Sequence, residues 1–189
     1  ERIEQELKHL FPGALVSIGK LSVERPLAAV LSDIVVDGKS YRLAIQKASV
    51  DRGLNLKLKG VRLQMTRFIP VWPGPAAASQ TAQLPVRLNT IRLEDLTVEL
   101  RLPTVKGDVL GSVSIDVGAS RVVMARLESP SLTVGDLKLQ TVVLDLPGTG
   151  RGVLSAEQFS MGKLRASGIR GDILWEDTTI VISPINASW

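Results

Sequence analysis

The sequence predicts an all-β protein, an antiparallel sheet preceded by a short N-terminal amphipathic helix. Three observations lead there. Beyond Gly13, apolar and polar residues alternate with a period of two, the signature of strands with one wet and one apolar face. Apolar residues make up 44% of the chain but aromatics only 4%, so the core is aliphatic, which suits strands packed against strands. Nothing after residue 12 carries helical spacing, so the strands follow one another without the crossover helices of parallel units.

The first element is the helix, within residues 1–13. Ile3, Leu7 and Leu10 fall on one helical face. Glu1, Glu4 and Glu6 precede Lys8 and His9, a distribution that matches the helix dipole, and Pro12-Gly13 stops the helix. Residues 14–189 form a single elongated β domain, a length sufficient for one sheet with its own core. Asp37-Gly38 separates two strand runs and signals a hairpin. Tyr41, Leu43 and Ile45 alternate with polar or small residues, as do Leu54, Leu56 and Leu58. Gly60 then intervenes and Val61, Leu63 and Met65 continue in the opposite phase, so a bulge or bend is expected there. Residues 69–85 are rich in Pro and Ala and read as a loop. Alternation resumes with Val86, Leu88, Ile91 and Leu93, and again with Leu96, Val98, Leu100 and Leu102. Further strands are expected near 109–117, 120–127, 130–146, 153–165 and 169–183, with a turn over Pro147–Gly152. One pattern recurs unevenly: an Asp before an apolar-x-apolar start, at Asp33, Asp95, Asp136 and, more weakly, Asp172. Each copy reads as Asp favouring a turn or bulge.

Chemistry is sought and not found. Without cysteine there is no disulfide scaffold, thiolate metal site or cysteine nucleophile. His9 is the only histidine, which excludes a histidine-cluster metal site, and a solvated histidine is its default role. Gly38-Lys39-Ser40 resembles the tail of a P-loop, but position 33 is Asp and a strand follows where a helix N-terminus is needed. Glu94-Asp95 and Glu176-Asp177 are adjacent carboxylates whose side chains on a strand point to opposite faces, so no acid–base dyad is expected. Trp72, Trp175 and Trp189 fit ordinary packing better than interfacial anchoring, and Asn186-Ala187-Ser188 matches a glycosylation acceptor only in a eukaryotic secretory setting. The net charge of +4 is spread as single residues rather than in a basic block, and few aromatics are available for stacking, so nucleic acid is not an expected partner. No apolar run is long enough to span a membrane as a helix, although a signal or anchor segment before Glu1 is expected. No catalytic residue, metal or cofactor is assigned, and an enzyme is not expected.

Three stretches carry a resemblance. Glu1 to Val36, with Leu10-Phe11-Pro12-Gly13-Ala14-Leu15-Val16-Ser17-Ile18-Gly19-Lys20-Leu21-Ser22-Val23, resembles the start of AsmA-like periplasmic domains just after their inner-membrane helix. The Pro/Ala-rich stretch followed by Leu84-Pro85-Val86 and Leu93-Glu94-Asp95-Leu96 is similar in style to TamB- and YdbH-type proteins. Gly-bounded strands such as Met161-Gly162-Lys163-Leu164-Arg165 and Gly168-Ile169-Arg170-Gly171-Asp172-Ile173 look like protein N of type II secretion systems, a smaller relative. The resemblance implies a Gram-negative envelope protein, periplasmic and anchored to the inner membrane through a preceding helix. It implies a long sheet curled into a groove or taco whose aliphatic face binds phospholipid or lipopolysaccharide acyl chains, with no chemical step. No family residue transfers through it. The candidate lining is the alternating set Tyr41, Leu43, Ile45, Leu54, Leu56, Leu58, Val61, Leu63, Met65, Leu96, Val98, Leu100 and Leu102. Two other readings stand beside lipid conduction: a structural component of a secretion machine that pairs through an edge strand with other envelope proteins, and a β-jellyroll of the lipopolysaccharide-transport bridge kind.

Overall fold

Alternating sequences of this kind bury one face only if strands lie side by side, and the computed structural model shows how this chain does so. It describes residues 13–24, 28–67, 88–118, 121–148, 151–176 and 179–188. Eleven strands run through them: β1 (Leu15–Glu24), β2 (Ala28–Asp37), β3 (Tyr41–Val50), β4 (Asn55–Met65), β5 (Thr90–Arg101), β6 (Val105–Asp116), β7 (Arg121–Val134), β8 (Leu137–Gly148), β9 (Arg151–Met161), β10 (Leu164–Glu176) and β11 (Thr179–Ser188). They form one sheet in which spatial order is chain order, and it does not close into a barrel. There is no helix among the described residues. The helix expected within 1–13 and the Pro/Ala-rich loop expected at 69–85 lie outside them, Gly13 apart.

The sheet corrects the sequence reading in its strand directions and its strand boundaries. Every neighbouring pair is antiparallel except β4 and β5, which run parallel from Asn55 opposite Thr90 to Met65 opposite Leu100. A parallel neighbour needs a long return connection, and 66–89 is the one long connection between the strands. The runs 130–146 and 153–165 are not single strands. Gly135-Asp136 and Gly162-Lys163 break them into hairpins, with Val134 paired to Leu137 and Met161 to Leu164. The run 169–183 likewise divides into β10 and β11, and β8 extends through Pro147 to Gly148. The Asp37-Gly38 hairpin forms as expected: the Gly38 N–H donates to the Tyr41 carbonyl at 2.9 Å. The P-loop-like Gly38-Lys39-Ser40 is therefore a turn between β2 and β3.

The expected bend at Gly60 is part of a line that crosses the sheet. Asp33 (φ 55°), Gly60 (φ 63°) and Asp95 (φ 52°) are left-handed residues inside strands. The registers set Asp33 beside Gln46, Gln46 beside Gly60 and Gly60 beside Asp95. A left-handed residue suspends the period-two alternation, so residues three apart, rather than two, share a face across it. Leu31 and Ile34, Leu58 and Val61, and Leu93 and Leu96 accordingly all join one core cluster, and Ile45 and Ala48 join it too, although β3 changes phase between them without a left-handed residue. A second line crosses the other half at Thr141 (φ 50°) and Gly168 (φ 61°), with Glu157 between them. The recurring Asp motif thus resolves into different structures: Asp33 and Asp95 are mid-strand kinks, whereas Asp136 sits in a hairpin turn.

Gly60 suits its place for two reasons: its φ, and the Gln46 side chain that occupies the space a Cβ would need. Thr141 is a β-branched residue in the same conformation without that freedom. Thr141→Gly should therefore raise stability by about 1 kcal/mol, and Gly60→Ala should lower it by about 1–3 kcal/mol. Urea unfolding of both variants checks this. A neutral Gly60→Ala would mean that the sheet does not need the left-handed kink.

Candidate functional site

Residues paired across strands share a face, so the registers show where each candidate lies. Tyr41, Met65 and Leu100 form one row across β3, β4 and β5, and Leu43, Leu63 and Val98 form the next. Ile45 pairs with Val61, and Leu96 packs against the cluster they belong to. Beyond the kink, Leu58 lies in a row with Ala48 and Leu93, and Leu56 in a row with Val50 and Ile91. Eleven of the thirteen candidates therefore line one continuous aliphatic face of β3–β5. The other two are in turns. Leu54 precedes β4 with φ 57° and is exposed, so it does not extend the Leu56–Leu58 alternation. Leu102 follows β5, is buried, and donates its N–H to the Val105 carbonyl at 2.9 Å.

Burial along this face is uneven. Ile45 and Val61, next to the kink, are 8% and 3% exposed and Ala48 is also buried, whereas Leu43, Leu63 and Val98 on one side and Leu58 and Leu93 on the other are only half-buried. Tyr41 lies at the half-buried end, and partial burial raises its phenol pKa above the ordinary value. The same face continues into β6–β10 through residues the sequence reading did not select. Val113, Ala125, Leu146 and Ile173 pack into a second cluster with Val122, Leu144 and Leu154. Gly152, between β8 and β10, has no side chain, and the Asp145 carbonyl and the Leu146 side chain occupy the space its Cβ would fill. Ser129 is the buried polar side chain among the described residues, and its hydroxyl donates to the Ser131 carbonyl at 3.0 Å.

The opposite face is polar and is organised around the parallel β4–β5 seam. Basic residues of β4 face acidic residues of β5: Lys57–Glu94 at 2.8 Å, Lys59–Asp95 at 3.9 Å and Arg62–Glu99 at 3.8 Å. Arg92 adds a second contact to Glu94 at 3.2 Å, and Arg101 reaches Asp108 of β6 at 2.7 Å. Glu94 and Asp95 do not point to opposite faces as a regular strand would place them. The left-handed Asp95 lets both reach lysines of one face, each in its own ion pair. The Lys57 ammonium holds the Glu94 carboxyl below its ordinary pKa, and the Asn55 backbone N–H does the same for Asp51 in the β3–β4 turn.

Among the described residues no group of three or more His, Asp or Glu is placed to hold a metal ion, and no helix is long and apolar enough to cross a membrane. A hollow of about 1190 Å³ lies at the end of β8–β10, lined by Lys138, Gln140, Phe159, Ser160, Met161 and Arg165 among others. It is outside the aliphatic rows of β3–β5. No family model matches this chain, and no curated protein matches it.

The depressed Glu94 pKa makes the seam pH-dependent in a definite sense. Its contribution is complete above the unfolded carboxyl pKa of about 4.3 and is lost as pH falls through the lower folded value. Glu94→Gln should lower the urea midpoint at pH 7, and the gap from the parent protein should close in acid below the ordinary carboxylate range. A gap independent of pH would assign the effect to packing instead of charge.

Proposed function

We propose that this protein is a non-catalytic component of the bacterial cell envelope whose aliphatic sheet face takes up lipid acyl chains and passes them between membranes. The observation that carries the reading is a continuous row structure of Leu, Ile and Val on one side of an open sheet, half-buried rather than covered. A water-soluble surface does not keep so large an apolar face without something to put against it. The two core clusters support curvature. Each is built from strands of its own half, β1–β5 or β6–β10, and residues such as Val36 and Leu146 are 1% exposed. In a single sheet, side chains that deeply buried call for strands that bend around them, which is the form of a groove or taco.

Acyl chains fit such a face by solvation alone. Each buried CH₂ contributes about 0.8 kcal/mol, and no directional group is required. The periplasm is the compartment that requires such shielding between two bilayers, and an inner-membrane anchor preceding the chain would hold the sheet there. The stretches that resemble AsmA-, TamB- and YdbH-type proteins and secretion protein N motivate this placement.

Among the described residues no strand pairs with the outer edge of β1 or of β11, which favours a second reading, a scaffold of a type II secretion system that recruits another envelope protein by strand addition. Lipid content separates the two. Native mass spectrometry of the chain purified from a Gram-negative host should show near-stoichiometric phospholipid or lipopolysaccharide. A lipid-free monomer would overturn acyl binding and favour the scaffold.

Substitution of the face gives a second test. Leu56→Glu and Leu100→Glu should each reduce retained lipid at least tenfold, because a charge is set where an acyl chain would lie. Val98→Trp, which fills the face without charge, should also reduce it. Circular dichroism identifies variants that unfold, and full lipid retention in folded variants would show that the face is wrongly assigned.

A further inference from the structure

The aliphatic face has two ends, and they differ in chemistry. At one end lie the turn 38–40, the turn 102–104, and the hairpin tips Gly135-Asp136 and Gly162-Lys163; the Gly135 N–H donates to the Thr104 carbonyl at 2.7 Å. β1 also begins there, with Leu15 opposite Asp37. The last apolar row at this end is Val105, Val134, Leu137, Met161 and Leu164, joined residue by residue across β6 to β10. Val134, Met161 and Leu164 are 41%, 45% and 52% exposed. By parity this row continues the inward face, since Leu132, Leu139, Phe159 and Ala166 stand two residues further in.

One residue behind it, about 3.4 Å along the strands, a second row has the opposite character. Lys106, Thr133, Lys138, Ser160 and Arg165 are neighbours in the same registers. Lys106, Lys138 and Arg165 are exposed and form no ion pair among the described residues, and Lys163 adds a further exposed cation at the tip. Asp136 is the one carboxylate in these two tips. An exposed apolar rim backed by cations is the arrangement of an interfacial membrane-binding element: the rim enters the headgroup–acyl boundary while the cations meet anionic headgroups. The hollow lined by Lys138, Arg165, Phe159 and Met161 opens beside both rows and is amphiphilic in the same sense.

We infer that this end of the sheet, the tips 134–137 and 161–164 with the Lys106–Lys138–Arg165 row, docks onto an anionic phospholipid bilayer and opens the aliphatic face toward its acyl region. The inference rests on the proposed lipid-binding function and adds which end of the sheet meets the membrane and which headgroup charge it selects.

Vesicle flotation of the full chain tests it, with phosphatidylglycerol–phosphatidylethanolamine vesicles compared with phosphatidylcholine vesicles. Docking predicts binding to the anionic vesicles that falls about tenfold or more on zwitterionic ones, and similarly at high salt. Met161→Asp combined with Leu164→Asp should reduce binding about tenfold, and so should Lys138→Glu combined with Arg165→Glu. All four sites are exposed, and circular dichroism verifies folding. Leu110→Asp and Val181→Asp, exposed apolar positions outside the rim, should bind as the parent does. Equal binding to both vesicle types, or rim variants that bind like the parent, would overturn the docking surface. So would a rim variant that changes only the sedimentation coefficient, which would make the rim a contact between copies. Acyl content measured on the same samples separates the two proposals. Retained lipid with lost vesicle selectivity overturns docking alone, and selective vesicle binding by a protein that never holds acyl chains overturns the groove while docking stands.

Discussion

The constraint on which the rest of this structure depends is continuity of one face across a sheet whose strands are kinked mid-way. A strand puts alternate residues on opposite faces, and a bend in one strand alone would send its apolar residues to the wrong side. The chain avoids this by placing left-handed residues in line: Asp33, Gly60 and Asp95 in the first half, Thr141 and Gly168 in the second. Every strand crossing a line changes phase where its neighbour does, so Leu31, Ala48, Leu58 and Leu93 on one side remain on the face of Ile34, Ile45, Val61 and Leu96 on the other. Non-glycine residues in this conformation cost on the order of 1–2 kcal/mol each. The gain is that the aliphatic rows remain unbroken, and burial beside the kink, at Ile45 and Val61, offsets that cost.

The parallel seam between β4 and β5 answers a different difficulty. A meander holds each strand by a tight hairpin, but these two strands are joined only through 66–89. Parallel pairing is slightly the weaker kind per residue. The polar face compensates there, with lysines and arginine on β4 set against carboxylates on β5. Surface pairs are individually weak. Their alignment also specifies register, because a slip by one residue would set Lys57 and Lys59 against the apolar face.

Much of this was legible in the sequence. Period-two alternation identifies the strands of β3–β5 and the shared face of Tyr41, Leu43, Ile45, Val61, Leu63 and Met65, because those residues lie in unkinked stretches. The phase change at Gly60 was visible, since glycine marks a permissive position. Asp33 and Asp95 were visible only as a motif. Aspartate also favours ordinary turns, and sequence alone does not separate a turn from a mid-strand kink. Thr141 gave no signal, because a β-branched residue is the least expected occupant of a left-handed site. Without it the alternation through 130–146 could not be followed, and the face formed by Ala125, Leu146 and Ile173 went unselected. The parallel pair was equally hidden, since the amphipathic pattern of a half-buried strand is the same whichever way its neighbour runs. The opposing charges of Lys57, Lys59 and Arg62 against Glu94, Asp95 and Glu99 were present in the sequence, but they acquire meaning only once the two strands are adjacent.

Where polar groups are absent matters as much as where apolar ones lie. On the aliphatic face the buried polar side chain among the described residues is Ser129, and its hydroxyl is already satisfied by Ser131. Such a surface offers an acyl chain transfer free energy and almost no direction, since hydrophobic burial is proportional to area and indifferent to position. On the reading proposed above, a chain lying on Leu43, Leu63 and Val98 loses little by sliding one row toward Ile45, Val61 and Leu96. Binding can then be strong in sum while movement along the face stays cheap, which is what conduction requires and storage does not. Direction has to come from the ends, where the surface stops being uniform. The cationic row behind Val134, Met161 and Leu164 sets charge beside exposed apolar surface, so on the proposed reading an amphiphile would be oriented there and only carried elsewhere.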